Sequence, residues 1–317
     1  MLVSVDAQEN ESQGRPALAD ERRIATVWDE RYCTEAAATN STTKQAGVVR
    51  LALEEGLIRL RPVVFQRETT WKHIASIHHP EYVQAVRTGM PRPLAESQGF
   101  MWSWQFADSV LRIWAGHVAA CRLALTEGIV LHPVSGAHHA RATAGAGFCT
   151  FNFLVGGARA LLEDAGAVRR VAIVDLDAHQ GDGTFLLARD DRRVALFDIA
   201  RSRWVSVRTL RRHEYHQASD AAEYRAALER LPAFLDAVRP GLVQYQAGVD
   251  CFERDPIGAI PGMNAEVLRW RDEYVIRAVR DRRIPLVINL AGGYVRDASE
   301  RLHLQTIRVA AGILRST

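Results

Sequence analysis

The stretch V-A-I-V-D-L-D-A-H-Q-G-D-G-T, Val171 to Thr184, decides how this chain is read. Its first half is a short apolar run of the kind that parallel sheets bury on both faces. Its second half sets Asp175, Asp177, His179 and Asp182 close together, among glycines that let backbone and ligand approach closely. A strand ending in such a cluster puts ionisable groups at its carboxyl end, where open parallel sheets bind ligands.

Four further runs have the same character: I-V-L-H-P-V at 129–134, V-A-L-F-D-I at 194–199, L-V-Q-Y-Q-A at 242–247 and P-L-V-I-N-L at 285–290. The segments 107–126, 153–165, 221–238 and 263–282 have the length and 3.6-residue periodicity of helices, with Asn264 placed as an N-cap. Strands alternating with helices predict βαβ units, hence an α/β protein of three layers, α/β/α, around a mainly parallel sheet. No repeat or linker divides residues 24–317, which are expected to form a single catalytic domain behind a flexible polar tail, residues 1–23.

Composition narrows the classes. The 317 residues are 48% hydrophobic and 24% charged, which suits a globular protein with a large core. The net charge is only +3, and Lys44 and Lys72 are the only lysines; the arginines fall in scattered pairs such as Arg22-Arg23 and Arg282-Arg283. A nucleic-acid footprint would group them on one face, so no nucleic-acid partner is expected. Cys33, Cys121, Cys149 and Cys251 show no C-x-x-C spacing. Reduced thiols, no secretory leader and no long apolar run point to a cytoplasmic protein with no membrane span.

Polar, glycine-rich groups follow the predicted strands: Ser135 to His139, Asp177 to His179, Asp198, Gly248 to Asp250, and Gly292 to Tyr294. Strand-end loops of one parallel sheet converge, so these groups can form one site. Asp177 and His179, two residues apart, either grip one ion together or fix a histidine tautomer in a buried network. Asp250 offers a third ligand, and two carboxylates with one imidazole leave room for water and substrate on a catalytic Zn²⁺ or Fe²⁺. His138-His139 lies in a Ser/Gly/Ala-rich loop after a strand; His78-His79, inside a helix-like segment, reads instead as surface or capping histidines. Tyr294 can donate to a developing oxyanion. Metal, histidine base and phenol together describe hydrolysis of a carbonyl derivative.

The order H-H, G-F-C, D-x-D-x-H-x-G-D-G-T, A-G-x-D, D-P-x-G and G-G-Y over residues 129–298 resembles the zinc-dependent histone deacetylase family, with the arginase/deacetylase fold. The N-terminal third is similar only through V-W-D-E-R-Y at 27–32 and I-H-H-P-E-Y-V at 77–83. Gln180 after the ligand histidine, with the Arg271-Asp272-Glu273 segment, is similar to the class IV branch, and the whole looks like a bacterial homologue. The resemblance implies a lysine deacetylase or deacylase. In it Asp177, His179 and Asp250 would hold Zn²⁺, Tyr294 would polarise the acyl carbonyl, and His139 would be the general base or acid, partnered by Asp182. His138, supported by Asp175, would complete the dyad. Asp175, Asp177, His179 and Asp198 would hold a structural K⁺ or Na⁺, Asp198 standing where the family often has serine. Gly147 and Phe148 would line the acyl-lysine tunnel.

This sequence also departs from the family. Ala291 shortens the glycine run before Tyr294, and no acidic rim residue for a peptide backbone is found. The expected partner is therefore an acyl-lysine protein or peptide, or a small acylated amine such as an acetylpolyamine, with the oligomeric state open. Class IV kinship implies fatty-acyl removal at least as good as acetyl removal. The ureohydrolase branch of the fold, which needs a second metal, and a silent scaffold are the remaining alternatives.

Overall fold

The computed structural model describes residues 22–34, 40–206, 212–296 and 298–316. The expected tail, up to residue 21, lies outside them. Among the described residues eight strands form one sheet: β1 (Ile24–Val27), β2 (Ile58–Arg61), β3 (Ile129–His132), β4 (Val171–Asp175), β5 (Val194–Ala200), β6 (His213–Gln217), β7 (Leu242–Gln246) and β8 (Leu286–Asn289). Their order is β2-β1-β3-β8-β7-β4-β5-β6, and every pairing is parallel.

The helices are α1 (Lys44–Glu54), α2 (Arg67–Ala75), α3 (Pro80–Thr88), α4 (Arg92–Ala95), α5 (Trp104–Glu127), α6 (Phe153–Glu163), α7 (Asp182–Ala188), α8 (Ala221–Leu228), α9 (Leu231–Val238), α10 (Ala265–Arg280) and α11 (Ser299–Arg315). Helices α5, α6 and α7 pack together beside β3 and β4, while α1, α11, α10 and α9 form a second connected layer. This is the three-layer α/β/α arrangement expected from the alternation of strand and helix. No helix among the described residues is long and apolar enough to cross a membrane.

Local chemistry sets the element ends. Ser103 caps α5 by accepting from Phe106 N, and Gly128 closes that helix at φ 78°. Asn152 and Asn264 cap α6 and α10 through Val155 N and Val267 N. The segment 221–238, periodic throughout, is two helices: Pro232 in the first turn of α9 has no N–H to give, and its ring excludes a continuous helix from Leu228. Strands β1, β2 and β6 escape the sequence reading, β1 because no glycine-rich polar group follows its I-A-T-V run, and β2 and β6 because I-R-L-R and H-E-Y-H-Q are the polar edges of the sheet.

One row of the sheet breaks its apolar character. His132, Asn289, Gln246, Asp175 and Asp198 are in register across β3, β8, β7, β4 and β5, so their side chains share one face. All five are buried. The row marks the carboxyl end of the central strands, and the candidate site sits just beyond it.

Candidate active site

Beyond β4 the chain leaves the sheet at Asp175, and Asp177 and His179 project from the loop that follows. Asp250, from the loop after β7, meets them: donor atoms of Asp177, His179 and Asp250 all lie within 4.8 Å of one another. His179 Nδ1 is 3.1 Å from Asp177 Oδ1 and 2.8 Å from Asp250 Oδ2. Among the described residues Asp250 Oδ2 has no partner in good hydrogen-bond geometry, which leaves it open toward the space the three side chains share. Backbone N–H groups hold the carboxylates from behind, Gly292 N donating to Asp177 Oδ2 at 2.9 Å and Ala178 N to Asp250 Oδ1 at 2.9 Å. A Cβ on Gly292 would sit 2.6 Å from Asp177 Oδ2, so only glycine fits there.

The electrostatics suit a cation. Burial and the neighbouring Asp177 push the Asp250 carboxyl up to about 7. Burial alone would depress His179, but Asp177 and Asp250 push it up to about 11. Two buried carboxylates carry more negative charge than one imidazole can neutralise, and an oxygen-rich set with one nitrogen suits a divalent ion such as Zn²⁺ or Fe²⁺.

The loop after β3 delivers both tandem histidines to this cluster. His138 Nδ1 lies 2.9 Å from Asp175 Oδ2, and His139 Nδ1 lies 2.7 Å from Asp182 Oδ1. A carboxylate only accepts, so Nδ1 of His139 carries its hydrogen and Nε2 is the basic nitrogen. Burial, helped by His138 and opposed by Asp182, holds His139 down to about 4. Asp182 is fully buried and also takes two hydrogen bonds from Arg141, at 3.0 and 2.6 Å. Burial works to raise its pKa, but His139 and Arg141 hold it below the ordinary value. Burial raises both Asp175 and Asp198, each helped by a carboxylate neighbour. Gly181 N donates to Asp198 Oδ2 at 2.8 Å, and Asp198 Oδ1 has no hydrogen-bond partner among the described residues.

Tyr294 follows β8 on a loop fixed from two sides. Its N–H donates to Asp255 Oδ2 at 2.8 Å, and Asp255 Oδ1 accepts from Ile257 N and Gly258 N. Lys44 Nζ, from the first residue of α1, donates to the carbonyls of Ala291 at 2.9 Å and Gly293 at 3.0 Å and lies 5.5 Å from the centre of the Tyr294 ring. Ala137, Phe148 and Ala291 have φ of 92°, 64° and 56°, so three strained residues sit in the loops around the cluster. Such strain persists only where surrounding contacts over-determine it. Ala291 thus keeps the left-handed backbone that glycine would adopt freely.

Two aromatic rings border the opening. Phe148 lies 5.9 Å from the Tyr294 ring, and Trp204, after β5, stacks on His139 with centroids 4.5 Å apart and planes at 16°. Gly147 is pressed against His139, where a Cβ would run into the imidazole. Beside Phe148 a largely apolar cavity of about 60 Å³ is lined by Tyr32, Phe106, Val110, Phe151, Gly136 and Ala137.

Every residue singled out for the site therefore lies in one neighbourhood. Sequence reading missed others. Lys44 carried a signal: a cation on the first residue of a helix opposes the helix dipole and calls for another reason to be there. Arg271 is fully buried, and its Nη1 donates to Gly248 O at 2.5 Å and Leu176 O at 3.4 Å, bracing both loops that carry Asp177 and Asp250. Asp272 beside it accepts from Tyr245 and Thr306, each at 2.6 Å. His78 is not the surface residue expected. It is buried, its Nδ1 bonding Arg141 O at 2.8 Å and its Nε2 accepting from Asn152 N at 3.0 Å, while His79 occupies the N-cap position of α3.

Comparison with known proteins agrees with this geometry. The histone deacetylase domain family matches residues 38–310. An uncharacterized protein of Picosynechococcus is 29% identical over 264 residues, covering 81% of this chain and 87% of the relative. Histone deacetylase 2 of Arabidopsis thaliana is 26% identical over 279 residues, covering 81% of this chain and 70% of its own length. A polyamine deacetylase of Homo sapiens is 27% identical over 183 residues, covering 54% of this chain and 26% of its own. With the family matching from before β2 into α11, and the strand-end loops carrying the cluster inside that match, the chain belongs to the histone deacetylase family.

Proposed function

We propose that this deacetylase-family hydrolase removes acyl groups, acetyl or longer fatty acyl, from lysine side chains. The observation that carries the reading is the meeting of the Asp177, His179 and Asp250 donor set with His139 at a cleft bordered by Phe148, Tyr294 and Trp204. Residues 24–317 act as one catalytic domain in this reading, and the protein works in the cytoplasm.

Asp177, His179 and Asp250 would hold the ion. A bound Zn²⁺ lowers the pKa of a water molecule and polarises a carbonyl. His139 takes the water proton at Nε2, because Asp182 keeps the hydrogen on Nδ1, and returns it to the departing amine. Its partner Asp182 stabilises the imidazolium formed between those steps. Tyr294 donates its hydroxyl hydrogen to the carbonyl oxygen as negative charge develops there, a contact worth most in a buried site. His138, held by Asp175, is the second dyad member and keeps the neighbouring carboxylates apart. A structural K⁺ or Na⁺ held by Asp175, Asp177, His179 and Asp198 would compensate their crowded charge, and Asp198 Oδ1, without a hydrogen-bond partner among the described residues, supports it.

The aliphatic arm of the substrate lies between the aromatic borders. Its acyl end has the cavity beside Phe148 to enter, which supports removal of chains longer than acetyl. Hydrolysis of an acetylpolyamine is a second reading, favoured by the polyamine deacetylase among the relatives. Kinetics over an acyl-chain series on both peptide and polyamine backbones tests both. Preference for peptides bearing long acyl groups supports the first reading, preference for the small amine supports the second, and strictly acetyl activity removes the fatty-acyl preference.

A further inference from the structure

We propose that Gln180 is a positioning residue for the substrate, its amide clamping the Trp204 backbone so that the indole forms one wall of the cleft. This rests on the reading that the cleft takes an acylated amine. Gln180 is fully buried, and its amide is directed at one short stretch of the neighbouring loop. Its Oε1 accepts from Trp204 N at 2.6 Å and Val205 N at 2.8 Å, while its Nε2 donates to Val205 O at 3.2 Å.

The loop reaches Gln180 by extending the sheet's own pairing. Past the ends of β4 and β5, Arg201 N donates to Ala178 O at 2.8 Å and His179 bridges in parallel to Ser202. Residues 201–205 therefore run beside 178–180. Trp204 is 48% exposed, its indole stacked on His139 and 5.7 Å from the His179 ring. A tryptophan so exposed is not anchored by burial of its own surface. Its orientation rests on the stack against His139 and on the backbone, and the backbone at 204–205 is held by the Gln180 amide. Neighbouring side chains thus divide the work, His179 facing the ion position and Gln180 setting the wall. A ring lying flat over His139 presents an apolar face to the aliphatic arm of a substrate. Loss of the clamp weakens binding of that arm more than it slows the bond-breaking step.

The test uses full-length, metal-loaded protein with Gln180→Ala, Trp204→Ala and the double variant, assayed on peptides carrying acetyl-lysine and a long-chain acyl-lysine. The expected result is a KM raised about tenfold in each single variant, with kcat changed far less and with bound metal unaltered. The double variant should be no worse than Trp204→Ala, because both changes remove one device. Hydrogen–deuterium exchange supplies a readout independent of activity: the amides of Trp204 and Val205 are protected in the native protein, exchange at least about tenfold faster in Gln180→Ala, and stay largely protected in Gln180→Glu, which keeps the acceptor oxygens. An unchanged KM in Gln180→Ala, or fully additive effects, overturns the substrate role. Unchanged exchange at 204–205 overturns the clamp. If native protein hydrolyses no acyl amide, the proposed function fails, while the exchange result still decides the clamp.

Discussion

Lys44 Nζ donates to the carbonyl oxygen of Gly293 at 3.0 Å, joining residues 249 positions apart and fixing the peptide directly before Tyr294. The ammonium is buried, and desolvation pushes its pKa down to about 8 against the pull of Asp250, Asp177 and Asp255. Lys44→Met should leave the Gly293 carbonyl unpaired, at about 1–3 kcal/mol, while Ala291 O keeps its bond from Ser135 Oγ at 2.9 Å, and should loosen the tyrosine loop. We expect a lower melting temperature and a kcat reduced on the order of 10²-fold, with little further loss when Tyr294→Phe is added. An unchanged kcat would mean that Asp255, Asp177 and Ser135 hold the loop without Lys44.

Removing the proton-transfer and oxyanion groups should act on kcat. Tyr294→Phe and His139→Ala are each expected to lower it by about 10²–10³, with KM less affected. Asp182→Asn keeps the shape but no longer dictates the His139 tautomer, so it should cost less than His139→Ala, about tenfold or more. Steady-state kinetics ranks the three, and a fully active Asp182→Asn contradicts the assigned pairing.

Metal analysis addresses the donor set directly. Native protein purified without chelator should carry about one divalent ion per chain, lost in Asp177→Ala, His179→Ala and Asp250→Ala. Adding Zn²⁺ to stripped native protein should raise its melting temperature, because ligand bound to the folded state alone stabilises it. A melting temperature indifferent to Zn²⁺ would argue against an ion at these residues.

The cavity beside Phe148 makes acyl length testable at one wall. Val110 is buried there, and Val110→Phe fills the space. The ratio of long-acyl to acetyl turnover should fall, roughly tenfold if a few methylenes lose their place. A ratio that stays constant sends the chain elsewhere.

Acid should destabilise the fold before it attacks the chemistry. Burial holds both His78 and His117 down to about 4, below the ordinary value of 6.5. Each is neutral when folded, whereas the unfolded chain takes up a proton as pH falls through 6.5. Their contribution is therefore complete above that pH and is lost as pH falls toward 4, by about 2 kcal/mol each at pH 5. Thermal melts between pH 7 and pH 5 should show the decline, and a flat profile contradicts it.

The class of fold and most members of the candidate site were legible in the sequence, because parallel strands buried on both faces must be apolar and whatever polar groups follow them collect at one edge. Val171 to Thr184 carries that pattern within fourteen residues. The same rule has a blind side. Strand β1, with no glycine-rich polar group after it, and the polar edge strands β2 and β6 lack the pattern, and the helix break before Pro232 is hidden under a continuous apolar stripe. Only the tertiary structure decided the supports. Lys44, Arg271 and Asp255 act on backbone carbonyls and amides brought close by folding, and backbone groups leave no trace in the order of side chains. Gln180 shows the division most plainly: the sequence marks it as the residue after a metal-ligand candidate, but its reach to the backbone of Trp204 and Val205 exists only because β4 and β5 lie side by side.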